Sequence, residues 1–148
     1  MTRQLIFLPA LLMMGLISFP GAAAPPIKVA VVTGGHDFDQ DAFPKLWRAI
    51  PGAECTLLPQ KDDSELFEDI TQWPYDVIVL YNMGQRISET RRQHFIQLLD
   101  RGVGLVVMHH AVAAFQEWPE YPKIIGCQYF IEEKEVNGVT HPKSGYQH

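Results

Sequence analysis

The chain has 148 residues, 47% of them hydrophobic, and a formal net charge of −5, which is the size and balance of one globular domain. An acidic chain whose one basic pair is Arg91-Arg92 repels a phosphate backbone, so nucleic acid is not an expected partner.

The first stretch, MTRQLIFLPALLMMGLISFPGAAAPP, has a single charge at Arg3, an apolar run over residues 5–19, and small residues at 21–24. That order is the order of a secretory signal peptide, assigned to residues 1–24, with cleavage after Ala23 or Ala24. The competing reading is a membrane anchor. The run falls short of the ~20 residues that a span needs, and Pro9 and Gly15 interrupt it. The expected location is therefore exported, periplasmic or extracellular, with no stable membrane span after cleavage.

IKVAVVT, residues 27–33, is a β-branched run closed by Gly34-Gly35 and reads as a strand buried on both faces. DQDAFPKLWRAI then spaces Phe43, Leu46, Trp47 and Ile50 as one face of a helix. Asp39 or Asp41 can cap that helix, and Pro51-Gly52 stops it. AECTLLP is a second strand. DDSELFEDI reads as a short acidic helix, with Asp62, Asp63 or Ser64 at its start. YDVIVLYN, residues 75–82, is a third strand. SETRRQHFIQLLDRG places Ser88 as N-cap, Phe95, Leu98 and Leu99 on the apolar face, and Gly102 at the stop. GVGLVVMHH is the fourth strand. The tail carries Asn137-Gly138, a two-residue hairpin signal, between strands expected near 128–136 and from 139 onward.

Strands alternating with helices specify an α/β domain with a parallel sheet covered on both faces. Ligands bind such sheets at the carboxyl ends of the strands. Those ends carry GGHDFD, YNMGQ and HHAVA, which gathers His36, Asp37, Asn82, His109 and His110 on one edge, facing the crevice rather than the core.

TGGHDFDQDAF joins a strand to a helix, where glycine-rich loops cradle phosphates. It is neither G-x-G-x-x-G nor a P-loop, and Asp37, Asp39 and Asp41 repel an anion. A neutral polyol or a metal suits the loop better. The plain alternative is a tight turn before a capped helix, which leaves His36 unexplained. VVMHHAVAAF sits at a strand-to-helix elbow with His109 at its centre and Val107 and Ala111 where flanking glycines would stand. With no Ser or Cys there, acyl transfer through a hydroxyl or thiol at this elbow is excluded. A histidine can serve as acid/base or as metal ligand, or simply hydrogen-bond beneath a loop. On an extended backbone His110 points away from His109.

Phe115, Trp118, Tyr121, Tyr129 and Phe130 can stack on sugar rings or hold a loop down. Phe130 is read as packing, and Trp118 is kept as a candidate contact. His94 lies mid-helix and reads as structural. Cys55 and Cys127 either bridge in an exported protein or stay as two buried free thiols; neither belongs to a metal clip or redox pair.

Taken together, VAVVTGGHDFD, YDVIVLYN, ISETRRQHFIQLLDRGVGLVVMHHA and WPEYPKIIGCQYF resemble the ThuA-like (trehalose utilisation) family. The resemblance covers residues 27–148 and implies a flavodoxin-like three-layer sandwich of the class I glutamine amidotransferase type. It implies that His109 replaces the amidotransferase cysteine, and that the domain is incomplete at its C-terminus. The substrate class it implies is a disaccharide or 3-keto-glycoside. His109 and His36 are the catalytic candidates; Asp37, Tyr81, Asn82, His110 and Trp118 are the substrate-binding candidates. A divalent metal, if one is used, falls to His36 and His109 with a carboxylate. The competing function is a non-catalytic module of the same fold that binds carbohydrate or protein. A hydrolase working through Cys127 ranks last, because that residue lacks the elbow context.

Overall fold

The computed structural model of the chain describes residues 24–61 and 63–145. The proposed signal peptide, except for Ala24, and Asp62 lie outside the described residues.

Four strands form a parallel sheet in the order β2-β1-β3-β4: β1 (Ile27–Gly34), β2 (Ala53–Pro59), β3 (Val77–Asn82) and β4 (Gly104–Val107). Val31 stands opposite Leu57 on one side and Val79 on the other, and Val79 stands opposite Val106. Alternate residues of the two central strands point to opposite faces, and both faces are covered. This is why β1 and β3 are apolar runs without alternation. Helix α1 (Ala42–Arg48) lays Trp47 against Val29, Val31 and Val79. Helix α2 (Glu89–Asp100) packs Phe95 and Leu98 with Phe67 against Val32, Ile78 and Leu80 on the other face. Each such side chain taken fully out of water stabilises the fold by about 1.5–3 kcal/mol. The result is the three-layer, flavodoxin-like α/β sandwich expected.

The strand order puts a topological switch point between β1 and β3. The chain leaves β1 to build β2 on one side, then returns to build β3 on the other. The ends of β1 and β3 therefore diverge and leave a crevice.

Several boundaries differ from the sequence expectation. The acidic segment forms only one turn of 3-10 helix, Glu65–Phe67. Ser64 adopts a left-handed backbone (φ 62°) and its hydroxyl donates to the Arg86 carbonyl instead of capping. Phe67 and Ile70, both buried, tie the segment to the core. On α1, Leu46 and Ile50 are 56% and 38% exposed, so its buried face is narrower than the spacing suggested. At α2 the expectation holds: the Ser88 side chain accepts from the Arg91 amide, and Gly102 turns at φ 90°. The tail folds into an antiparallel hairpin, β5 (Lys134–Val136) and β6 (Val139–His141), shorter than expected. Asn137 and Gly138 both have positive φ (51° and 77°), the signature of the predicted turn. Both cysteines are free; Cys55 is half-buried, and Cys127 is exposed rather than buried. Among the described residues no helix is long and apolar enough to cross a membrane.

Candidate functional site

The site begins with the two glycines that end β1. A Cβ on Gly34 would lie 2.3 Å from the Gln60 carbonyl oxygen, and Gly35 (φ 78°) passes within 3.0 Å of the Met83 backbone by the same measure. Only a chain without side chains here can turn this tightly over β3. The turn delivers His36 onto the end of β3. Its Nε2 lies 2.9 Å from the Tyr81 carbonyl oxygen and its Nδ1 3.0 Å from the exposed Asp37 carbonyl oxygen. A neutral imidazole has one N–H and can donate to only one of them.

The second contribution comes from the end of β4. Extended pairing stops at Val107, and the Met108 amide donates to the Leu80 carbonyl. His109 then takes φ 56° and opens a 3-10 helix, His109–Ala113. This reversal is the elbow the sequence pointed to. It also overturns the expectation that the paired histidines diverge, because the backbone after Met108 is not extended. The rings of His109 and His110 lie 3.9 Å apart, and His36 sits 5.2 Å from the first and 4.7 Å from the second, centroid to centroid. Their ring nitrogens include one atom from each residue that all fall within 4.8 Å of one another. The expected pair, His36 and His109, is thus joined by His110. No carboxylate belongs to this group among the described residues.

The elbow is held from behind. The Tyr121 hydroxyl, on α3 (Tyr121–Ile125), donates to the Ala111 carbonyl at 2.7 Å. Burial pushes the Tyr121 phenol well above its ordinary range, so it remains an O–H donor. Gln85 braces the far end, donating to the Ala113 carbonyl and accepting from the Gln116 amide.

Burial holds the His110 imidazole below its ordinary pKa, and the neighbouring His109 and His36 rings add to that. A neutral ring with a lone pair is the favoured form. Its Nδ1 is buried and has no hydrogen-bond partner among the described residues.

Tyr81 completes the edge, with its ring 4.8 Å from His36 and 5.3 Å from His109. Phe43 and Phe38 continue the aromatic wall beyond it, at 4.5 and 6.1 Å. Neither phenylalanine was singled out from sequence for the site. The clue was there for Phe38, an aromatic residue in a loop otherwise made of Asp and Gln.

The other candidates fall elsewhere. Asp37 is exposed, and it is its backbone carbonyl that meets His36. Asn82 is 1% exposed, beneath the edge and not on it, with neither amide atom partnered among the described residues. Trp118 is 2% exposed, in the core with Phe95, Phe115 and Tyr121, so the crevice is not where it sits. Apolar bulk won over any stacking role. It also lines a separate cavity of about 390 Å³ beside the hairpin, together with Lys123, Lys134 and Asn137. His94 is structural as expected, with Nδ1 2.8 Å from the Phe67 carbonyl oxygen.

No family model matches the sequence, and no curated protein matches it. A solved structure of a protein from Parabacteroides merdae ATCC 43184, described as ThuA-like, superposes with a TM-score of 0.58 at 23% identity. The match covers 81% of this chain and 48% of that one, so the chain spans about half the length of that structure. The two proteins share a fold, the ThuA-like one that the sequence resemblance implied.

Proposed function

We propose that the chain is an exported ThuA-like domain that takes part in carbohydrate catabolism, with a disaccharide or 3-keto-glycoside bound across the ends of β1, β3 and β4. The observation that carries this reading is the convergence of His36, Tyr81, His109 and His110 at the switch point of the sheet. An imidazole can take a proton from, or give one to, a bound hydroxyl or carbonyl. The Tyr81 ring offers a face for the apolar side of a sugar. In this reading His109, at the elbow and exposed, is the acid/base; His36 assists; Asp37 reaches hydroxyls from the loop, and Asn82 supports the edge from below. The N-terminal sequence supports export, and the ThuA-like fold supports the substrate class.

The test is turnover of a panel of disaccharides and their 3-keto derivatives by the wild type and by His109→Gln. General acid–base catalysis contributes ~10²–10⁴-fold, so the variant loses at least about a hundredfold in kcat with its circular dichroism unchanged. Equal turnover by both proteins rejects the assignment.

The absence of a carboxylate from the imidazole group, among the described residues, favours a second reading as well. A binding module without turnover needs no group to orient or recharge the histidine. It predicts saturable sugar binding by calorimetry with no product formed.

A further inference from the structure

We propose that His36, His109 and His110 together bind one divalent first-row cation of the zinc, cobalt or nickel kind. The inference goes beyond the carbohydrate reading and does not depend on it.

Three ring nitrogens, one from each histidine, already fall within 4.8 Å of one another. Two imidazole ligands on a tetrahedral ion, at ~2.0–2.1 Å each, stand about 3.4 Å apart. Closing the group around an ion thus asks for ring movements on the order of an ångström. His36 is steeply inclined to both partners, at 77° to His109 and 56° to His110, whereas His109 and His110 lie at 35° with centroids 3.9 Å apart. The His36 ring can therefore aim a lone pair across the other two, and the His109–His110 pair must open for all three to meet at one ion.

Two further observations point to a cation rather than to ordinary packing. The buried Nδ1 of His110 has no hydrogen-bond partner among the described residues, a costly position for a polar atom and a good one for a metal ligand. At His36 a neutral ring can donate to only one of its two carbonyl neighbours; when Nε2 donates to Tyr81, Nδ1 keeps a lone pair 3.0 Å from the Asp37 carbonyl oxygen. Two lone pairs at that distance repel unless a second ring proton or a bound cation supplies positive charge. The Tyr81 carbonyl then plays the part usual behind metal-bound histidines, fixing the tautomer and aiming the ring. Imidazole suits zinc, copper, iron and nickel, whereas magnesium and calcium prefer oxygen ligands. Asp37, Asp39 and Asp41 on the adjoining loop add a field that attracts cations. His109 is exposed, so the fourth position stays open to water or to a ligand oxygen, the pattern of sites with three protein ligands.

The test uses untagged full-length protein, stripped with chelator and titrated with Zn²⁺ or Co²⁺ alone. Calorimetry is expected to give one ion per chain. Each of His36→Gln, His109→Gln and His110→Gln weakens binding by at least about a hundredfold, since even the loss of an outer-shell partner costs 10–100-fold. His141→Gln, in the hairpin, leaves it unchanged. A second measurement needs no variant: bound Co²⁺ gives the large contact shifts of metal-ligating imidazoles to the ring protons of His36, His109 and His110, and not to those of His94 and His141. Absence of saturable binding to the folded wild type, survival of binding in the triple variant, or ligand-type contact shifts at His94 or His141 overturns the proposal. No carbohydrate enters the titration, so failure here and failure of the turnover test are separate results.

Discussion

The rings of His109 and His110, adjacent in the chain, lie against each other with centroids 3.9 Å apart and planes inclined by 35°. Neighbours on a strand could not do this, because their side chains leave on opposite faces. The left-handed backbone of His109, φ 56°, makes the contact and costs about 1–2 kcal/mol for a residue with a Cβ. His109→Gly removes both ring and strain, whereas His109→Ala removes the ring and keeps the strain. The glycine variant is therefore expected to be the more stable of the two by about 1 kcal/mol in urea unfolding. An alanine variant at least as stable as the glycine one would mean that the elbow is not strained.

That elbow also marks where the sequence stopped being legible. Strand cores, the α2 cap at Ser88 and the Asn137-Gly138 turn could be read because each has a local cause: periodicity, a side-chain oxygen, a backbone that tolerates positive φ. The gathering of His36 and His109 could be read too, since strand ends meet once the sheet is known to be parallel. His110 was placed on that edge as well, but the turn of its ring onto His109 could not be read. It depends on a change of backbone region within one residue, and the cause lies in the packing of Ala111 and Tyr121 behind it. Trp118 failed for a similar reason. Its segment is aromatic enough for either role, and only the core contacts with Phe95 and Tyr121 decide between them. The acidic segment keeps one turn, with Ser64 in a left-handed backbone at φ 62° and its hydroxyl on the Arg86 carbonyl, a long-range contact that spacing does not show.

Gly34 is expected to be the most sensitive backbone position of the site. An added Cβ would meet the Gln60 carbonyl oxygen at 2.3 Å, at a φ of +138° that side chains rarely adopt. The obstacle is backbone, so it cannot swing aside. Gly34→Ala is predicted to cost about 3 kcal/mol, from overpacking and strain together. Gly52→Ala, where φ is +73° but nothing lies within 4 Å, isolates the strain and should cost about 1 kcal/mol. Urea midpoints of the two variants check this; equal losses would show that the contact with Gln60 is not tight.

Tyr121→Phe tests the brace behind the histidines. The lost hydroxyl leaves the carbonyl of Ala111, a residue with no exposed surface, with the Ala114 amide as its remaining donor. Losing one of two hydrogen bonds costs about 0.5–1.5 kcal/mol, so the variant should unfold at lower urea by about 1 kcal/mol. Loosening the 3-10 helix should also weaken whatever binds at His109 and His110. Unchanged stability would place the hold on the elbow elsewhere, with Gln85 and its bond to Ala113 the next residue to remove.

The cysteines should differ sharply in reactivity. Cys127 is exposed, while Cys55 is half-buried beneath α1, where loss of water raises its thiol pKa. The thiolate is the nucleophile, so a raised pKa at a given pH leaves less of it. A disulfide reagent at pH 8 should find one fast thiol and one at least about tenfold slower. Cys127→Ser should abolish the fast phase and leave the slow one. The elbow that carries the imidazoles holds no thiol, so alkylating Cys127 should leave any sugar turnover intact. Loss of turnover on alkylation of the wild type, together with a folded Cys127→Ser variant that has no turnover, would move the chemistry from the imidazole edge to that cysteine.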